Sequence, residues 1–206
     1  RIAAMEREGK TVVILVSTKS AQALIAVADT IKDSSRSAIG ELHALGINTM
    51  MLTGDNPHTA QAIATQAGID RAQGNLLPED KLREVEQLAQ TGKVGMVGDG
   101  INDAPALAAA DVSFAIGAGS DAAIEAADLT LIRSDLLGVS DAIALSAATL
   151  GKIRQNLFFA FIYNVLGIPL AALGWLNPVF AGAAMAMSSV SVVSNSLLLK
   201  RWRPRS

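Results

Sequence analysis

Gln155 through Leu199 is a stretch of 45 residues without one Asp, Glu, Lys, Arg or His. At 1.5 Å of rise per residue, that is about twice the ~20 residues needed to carry a helix across a hydrocarbon core. It reads as a helical hairpin with its turn at Leu176-Asn177-Pro178. Lys152 and Arg154 precede the first span, and Lys200, Arg201, Arg203 and Arg205 follow the second. The positive-inside rule therefore predicts that both ends of the lipid-embedded segment are cytoplasmic. The rule does not say which membrane, and the cell membrane is the location expected. Residues 1–154 are a different material, holding all 19 acidic residues and 13 of the 17 basic ones. Their net charge of −6, against +4 for the rest, gives no reason to expect a nucleic-acid partner. The chain has no cysteine, which excludes disulfides and thiolate metal sites within these residues. It begins Arg-Ile-Ala-Ala-Met-Glu, with neither an initiator Met nor an apolar leader, and is expected to be a fragment.

Along residues 1–154 the pattern is α/β. The apolar runs 11–16 and 23–28 are separated by a polar hexapeptide and read as antiparallel strands. Beyond Asp29, helical and strand patterns alternate: helix 34–45, strand 47–52, helix 57–67, helix 79–90, strand 94–97, a short helix from Asn102, strand 112–116, helix 121–126 and strand 129–132. Gly46, Gly68 and Gly92 stand where three of these helices should stop. Strands joined by helices of this length predict a parallel, Rossmann-like sheet covered on both faces. A last helical pattern runs from Ser134 through Lys152 toward the hairpin, and with no low-complexity linker the two parts are expected to be rigidly coupled.

Two strands end in carboxylate-bearing loops, Thr53-Gly54-Asp55 and Gly98-Asp99-Gly100-Ile101-Asn102-Asp103. Ligands of open parallel sheets collect beyond the carboxyl ends of strands, so both loops fall on the functional edge. Asp99 and Asp103 are four apart across a glycine turn and can offer hard oxygens to Mg²⁺. Taken alone, Gly-Asp-Gly is ordinarily a turn, and Asn102 or Asp103 reads equally as the cap of a helix at Ala104-Pro105. Thr53 and Asp55, in the equivalent place after another strand, weigh against that plainer reading.

These loops, Met51-Leu52-Thr53-Gly54-Asp55-Asn56 and Gly98 through Leu107, resemble the TGD and GDGxNDAPAL motifs of P-type ATPases, members of the haloacid dehalogenase-like superfamily. Asp29-Thr30-Ile31-Lys32 resembles the family's hinge. The resemblance implies that 1–28 ends a nucleotide-binding domain, that 29–150 is the carboxyl-terminal part of the haloacid dehalogenase-like phosphorylation domain, and that 151–206 holds the last two transmembrane helices and a basic tail. It implies ATP and Mg²⁺ as cofactors. Thr53 and Gly54 would hold phosphoryl oxygens, Lys81 would neutralise charge on the transferred group, and Asp55 would orient that group or the attacking water. Asp99 and Asp103 would hold Mg²⁺, with Asn102 in support. The family's phosphorylated Asp lies in a DKTGT motif that this chain lacks, so it is expected upstream and the chain alone is expected to be inactive.

In the first span Asn156 and Tyr163 are seven apart on one helical face, and Pro169 should kink the helix just beyond Asn164. In the second, Met185, Ser188 and Ser189 share a face that Ser196 extends, and the two faces are placed to meet across the hairpin. From spacing alone this reads mainly as helix packing. The order Asn156, Tyr163-Asn164, Pro169 and Met185, Ser188-Ser189, Asn195-Ser196 resembles the last two membrane helices of the copper-transporting heavy-metal P-type ATPases. The resemblance implies that Tyr163, Asn164, Met185 and Ser189 line sites for a transported Cu(I) ion, together with cysteines on a helix absent here. It also implies delivery of the ion by a copper chaperone. A soft thioether suits Cu(I), and neither span offers a carboxylate or imidazole for Zn²⁺. The expected function is thus the carboxyl-terminal part of an ATP-driven Cu(I) exporter. The alternatives are a membrane-tethered phosphatase of the same superfamily and a pump for another heavy metal such as Zn²⁺.

Overall fold

The two β-branched runs near the amino terminus pair as expected. β1 (Thr11–Val16) and β2 (Ala21–Val27) are antiparallel, with Thr11 opposite Val27. They follow a short helix, α1 (Ile2–Arg7), that the sequence pattern does not announce. The computed structural model describes residues 2–18, 20–27, 30–117, 119–175 and 177–204. Asp29 of the expected hinge, Leu176 of the expected turn and Arg205 of the basic tail lie outside them. The chain divides into two compact units, Arg1–Ser140 and Asp141–Ser206.

In the first unit, helices and strands alternate after the hairpin: α2 (Asp33–Ala44), β3 (Met50–Leu52), α3 (Pro57–Ala67), β4 (Arg71–Gln73), α4 (Pro78–Ala89), β5 (Gly95–Gly98), α5 (Ala104–Ala109), β6 (Val112–Ile116), α6 (Asp121–Ala126) and β7 (Leu129–Leu131). β3 pairs parallel with β4, and β5, β6 and β7 form a parallel three-stranded sheet in that order. The core is made of small side chains with a few larger ones: Ala38, Ala60, Ala64, Ala106, Leu107, Val85 and Phe114 are buried. Such small residues let helices approach the sheet closely.

Local chemistry explains the helix limits. Asn56 caps α3 by accepting the Thr59 N–H at 2.9 Å, Pro57 occupies its first turn, and Gly68 ends it at φ +81°. A left-handed residue there releases the chain from the helix at no Cβ cost. The strand expected at 47–52 is shorter than its apolar pattern. The Ile47 N–H is drawn back to the Leu42 carbonyl, leaving only Met50–Leu52 in the ladder. β4 was not expected at all, because Arg-Ala-Gln carries no apolar run.

The parallel pairs share one device at their amino ends. Asp70 accepts the Thr49 N–H (2.7 Å) and hydroxyl (2.9 Å) just before β3 and β4 begin to pair. Asp128 does the same for Ser113 N–H and hydroxyl, both at 2.9 Å, before the β6–β7 pairing. Asp111 accepts the Val94 N–H at 3.0 Å before β5–β6 and is also bound by Lys93. Each carboxylate closes the edge of the sheet opposite the loops that bear the candidate site.

The second unit contains two helices long and apolar enough to cross a membrane. α7 (Leu137–Ala172) starts in the first unit and stays helical through Pro169, which falls in its last turn. α8 (Pro178–Leu197) is capped by Asn177, whose side chain accepts the Val179 N–H at 2.9 Å. A 3₁₀ turn, Leu198–Arg201, follows it.

The Asp70 carboxyl is held below its ordinary value of 3.8, first by the Thr49 N–H, then by the Thr49 hydroxyl and His43. A depressed carboxyl stabilises the fold at pH above its unfolded value and loses that contribution as pH falls through the folded one. Asp70→Asn should therefore lower the urea midpoint of the first unit at neutral pH. The gap to the parent should narrow as the pH drops below about 3.8. Unfolding followed by circular dichroism at the two pH extremes checks this.

Candidate functional site

The loop after β3 is folded by its own side chains. Asp55 donates its N–H to the Thr53 hydroxyl oxygen (3.1 Å), and that hydroxyl donates to the Asp55 carboxylate (3.0 Å). A second loop, which the sequence reading missed, braces it. After β4, Asn75 donates its N–H to the Asp55 carbonyl and Leu76 donates to the Thr53 carbonyl at 3.1 Å. Gly74 makes this approach possible, since a Cβ there would lie 2.6 Å from the Asp55 oxygen. The signal available in the sequence was the Gly74-Asn75 turn pair, with Asn75 in the left-handed region at φ 57°. Gly54 is exposed, its backbone free for an incoming group.

The bracing loop runs straight into α4, and α4 carries Lys81. Its ammonium donates to Asp103 at 2.8 Å, with both side chains largely buried, at 15% and 13% exposed. Asp103 closes the 3₁₀ turn Ile101–Asp103 after β5 and also accepts the Gly100 N–H at 3.4 Å. It does not cap α5 with its side chain, so the plainer reading of this loop as a capped helix start does not hold. Gly98 is required by close approach, since a Cβ there would sit 2.8 Å from the Asp103 Cβ. Asp99 and Asn102 are exposed. The Asp99 backbone is anchored because its carbonyl accepts the Ser120 N–H at 2.9 Å at the start of α6.

The structure thus brings Lys81 to Asp103 and ties the Thr53–Asp55 loop to the start of α4. Among the described residues no hydrogen bond joins Thr53 or Asp55 to Asp99 or Asp103. Nor do three or more carboxylates or imidazoles cluster as a ready metal cage. The donor set still fits Mg²⁺, which commonly takes only one or two carboxylates and completes its shell with water and phosphate oxygens.

In the second unit, Tyr163 faces α8 through its hydroxyl, 3.4 Å from the Ser191 Oγ, and Asn156 donates to the Ser196 Oγ at 2.7 Å. Asn164 turns away and donates to the Ala160 carbonyl at 2.8 Å. Of the face expected to meet α7, Ser196 does so by accepting from Asn156, whereas Met185, 74% exposed, and Ser189, also exposed, make no hydrogen bond to α7 among the described residues. The reason is angular. At 100° per residue, Met185 and Ser189 are rotated about 70° and about 110° from the line midway between Ser188 and Asn195, which are less exposed. Ser188 therefore parts from the face it was expected to share with them.

Comparison with known proteins gives the family. A family model of haloacid dehalogenase-like hydrolases matches residues 1–111. The chain belongs to the haloacid dehalogenase-like hydrolase family. It is 56% identical over 199 residues to the copper-exporting P-type ATPases of Staphylococcus aureus strains JH9 and Newman. The match covers 96% of this chain, and the chain spans about a quarter (25%) of the length of those relatives. The crystal structure of a zinc-transporting PIB-type ATPase in its E2·Pi state is similar at 40% identity with a TM-score of 0.84, over 96% of this chain and 33% of that one.

Lys81→Met leaves the Asp103 carboxylate without its cation and should destabilise the first unit by about 2 kcal/mol. Lys81→Met with Asp103→Leu should recover part of that loss. Urea unfolding of both single variants and the double variant measures the coupling.

Proposed function

We propose that this chain is the carboxyl-terminal part of an ATP-driven Cu(I) exporter, in which aspartyl-phosphate formation and hydrolysis drive ion movement across the plasma membrane. The observation that carries the reading is the largely buried Lys81–Asp103 pair behind the exposed Asp99 carboxylate, on a chain whose other unit holds 45 consecutive uncharged residues. Thr53 and the Gly54 N–H hold phosphoryl oxygens, and Lys81, fixed by Asp103, presents its ammonium to charge developing on the transferred group. Asp55, oriented by Thr53, aligns that group or the attacking water. Asp99 and Asp103, supported by Asn102, would hold Mg²⁺, which neutralises phosphate charge when bound.

The acceptor Asp comes from outside these residues. Two features support this: β3 pairs only with β4 among the described residues, and β5 is the first strand of its sheet. Each therefore has an unpaired edge. Met51 of β3 and Ile116 of β6 line one cavity of about 330 Å³ with Ile39, Ile63, Ile69 and Leu136. An apolar strand bearing the acceptor at its carboxyl end would find both edges and an apolar wall. The exposed apolar hairpin β1–β2 is likewise suited to be the end of a nucleotide-binding domain continuing beyond it.

Tyr163, Asn164, Met185 and Ser189 line the ion path, Met185 supplying the soft ligand for an ion passed on by a copper chaperone. The basic residues around Lys152 and Lys200 hold both ends of the hairpin on the cytoplasmic side of the lipid bilayer. The structural likeness to a zinc transporter favours a second reading, in which the cargo is Zn²⁺.

Three outcomes test these roles. Asp99→Asn in the complete polypeptide should cut Mg²⁺-dependent phosphoenzyme formation by about 100-fold while the fold survives. Residues 1–206 purified alone should hydrolyse no ATP, and turnover abolished by Asp103→Ala would instead identify a self-sufficient phosphatase. Met185→Ala should lower the number of Cu(I) ions bound per folded pump, and stimulation of the parent by Zn²⁺ but not Cu(I) would overturn the cargo assignment.

A further inference from the structure

Asn195 is the least exposed polar side chain of the second unit, 8% exposed in a helix otherwise open to its surroundings. Its Oδ1 accepts from the Lys152 ammonium at 2.9 Å, and its Nδ2 donates to the Asn156 Oδ1 at 2.8 Å. Asn156 then donates to the Ser196 Oγ at 2.7 Å, so one chain of hydrogen bonds crosses between α7 and α8 three times. Its direction is set at one end. An ammonium only donates, so the Asn195 carbonyl must face Lys152, which turns its NH₂ to Asn156 and the NH₂ of Asn156 to Ser196. Lys152 also donates to Gln155 on its own helix at 3.1 Å. On α7, Lys152, Asn156 and Tyr163 share a face; on α8, Ser191 and Asn195 do, and the Tyr163–Ser191 contact continues the same seam deeper.

We propose that Lys152, Asn195, Asn156 and Ser196 form a polar clasp that fixes the rotation and register of α8 on α7, and so positions the Met185–Ser189 face for the transported ion. These are positioning residues and touch no ion themselves. The physical case is that apolar packing in lipid gives little preference for one rotation of a helix about its axis. A chain of directional bonds centred on the buried Asn195 admits only one. Turning α8 by one residue would carry Asn195 about 100° off Asn156 and move Met185 by the same angle. The other polar contact described between the two helices, Tyr163 with Ser191, is longer at 3.4 Å, and the Ser191 hydroxyl already donates to the Met187 carbonyl on its own helix at 2.8 Å.

The inference rests on the exporter reading for its consequence but not for the clasp itself, and the test has two arms. Residues 1–206 hold no cysteine, so Tyr163→Cys with Ser191→Cys can be crosslinked by a short bis-maleimide in the complete polypeptide with every other cysteine replaced by Ser, reconstituted in vesicles. Asn195→Leu and Lys152→Met should lower the crosslinking yield. Asn195→Asp should not: its carboxylate accepts from Lys152 and, once the Asn156 amide turns over, from Asn156, whose carbonyl then accepts the Ser196 hydroxyl. In the complete polypeptide, Asn195→Leu should raise the KM for Cu(I)-stimulated ATP hydrolysis by about tenfold with kcat changed little, as loss of a ligand's support does. Asn195→Asp should stay near the parent, and Lys152→Met combined with Asn195→Asp should be worse than Lys152→Met alone because it buries an unpaired carboxylate. A parent-like yield and KM in Asn195→Leu, or damage by Asn195→Asp equal to that by Asn195→Leu, overturns the proposal. If the parent polypeptide shows no Cu(I)-stimulated hydrolysis, the exporter reading fails, and the clasp is decided by the crosslinking arm alone.

Discussion

Three aspartates hold the α/β unit in the arrangement on which its chemistry depends. Asp70, Asp111 and Asp128 each stand just before a strand and take the N–H of the residue opposite, at or next to the start of the neighbouring strand. Parallel ladders have slanted bonds and no tight turn to set their register. A carboxylate at the first position supplies that register where the short ladders of three or four pairs cannot. With the amino edge closed in this way, the carboxyl ends of β3 and β5 are left to carry loops that need not stabilise the sheet.

Those loops divide the work between rigidity and exposure. Thr53 and Asp55 hold each other while Gly74 and Asn75 hold them from behind, so Gly54 can stay open. Lys81 and Asp103 are buried against one another, and Asp99 is anchored through its backbone with its side chain outside. The phosphoryl transfer proposed for this site needs charge placed without reorganisation, and backbone anchoring of exposed carboxylates is suited to that. In the membrane unit the same economy is reached differently. Polar groups between α7 and α8 satisfy each other, and Met185 and Ser189 are left exposed.

The sequence by itself determined the order and kind of most elements, because periodicity, caps and glycine stops are local. The helix at 57–67 and the strand at 112–116 are found at the expected limits, and the uncharged run forms two long helices. It also singled out Thr53, Asp55, Asp99 and Asp103, whose residue types follow strands in a repeated pattern, and Lys81 through the resemblance of the surrounding motifs to a known family. Tertiary structure alone decided the rest. β4 exists because Asp70 and the edge of β3 recruit Arg-Ala-Gln into a ladder, which no propensity of those residues would announce. β3 is short because Ile47 is spent on closing α2. Which face of α8 meets α7 was decided by Asn195 finding Lys152 and Asn156, contacts 43 and 39 residues distant. Helical spacing names the residues that share a face. Only the long-range hydrogen bond says which face is turned inward.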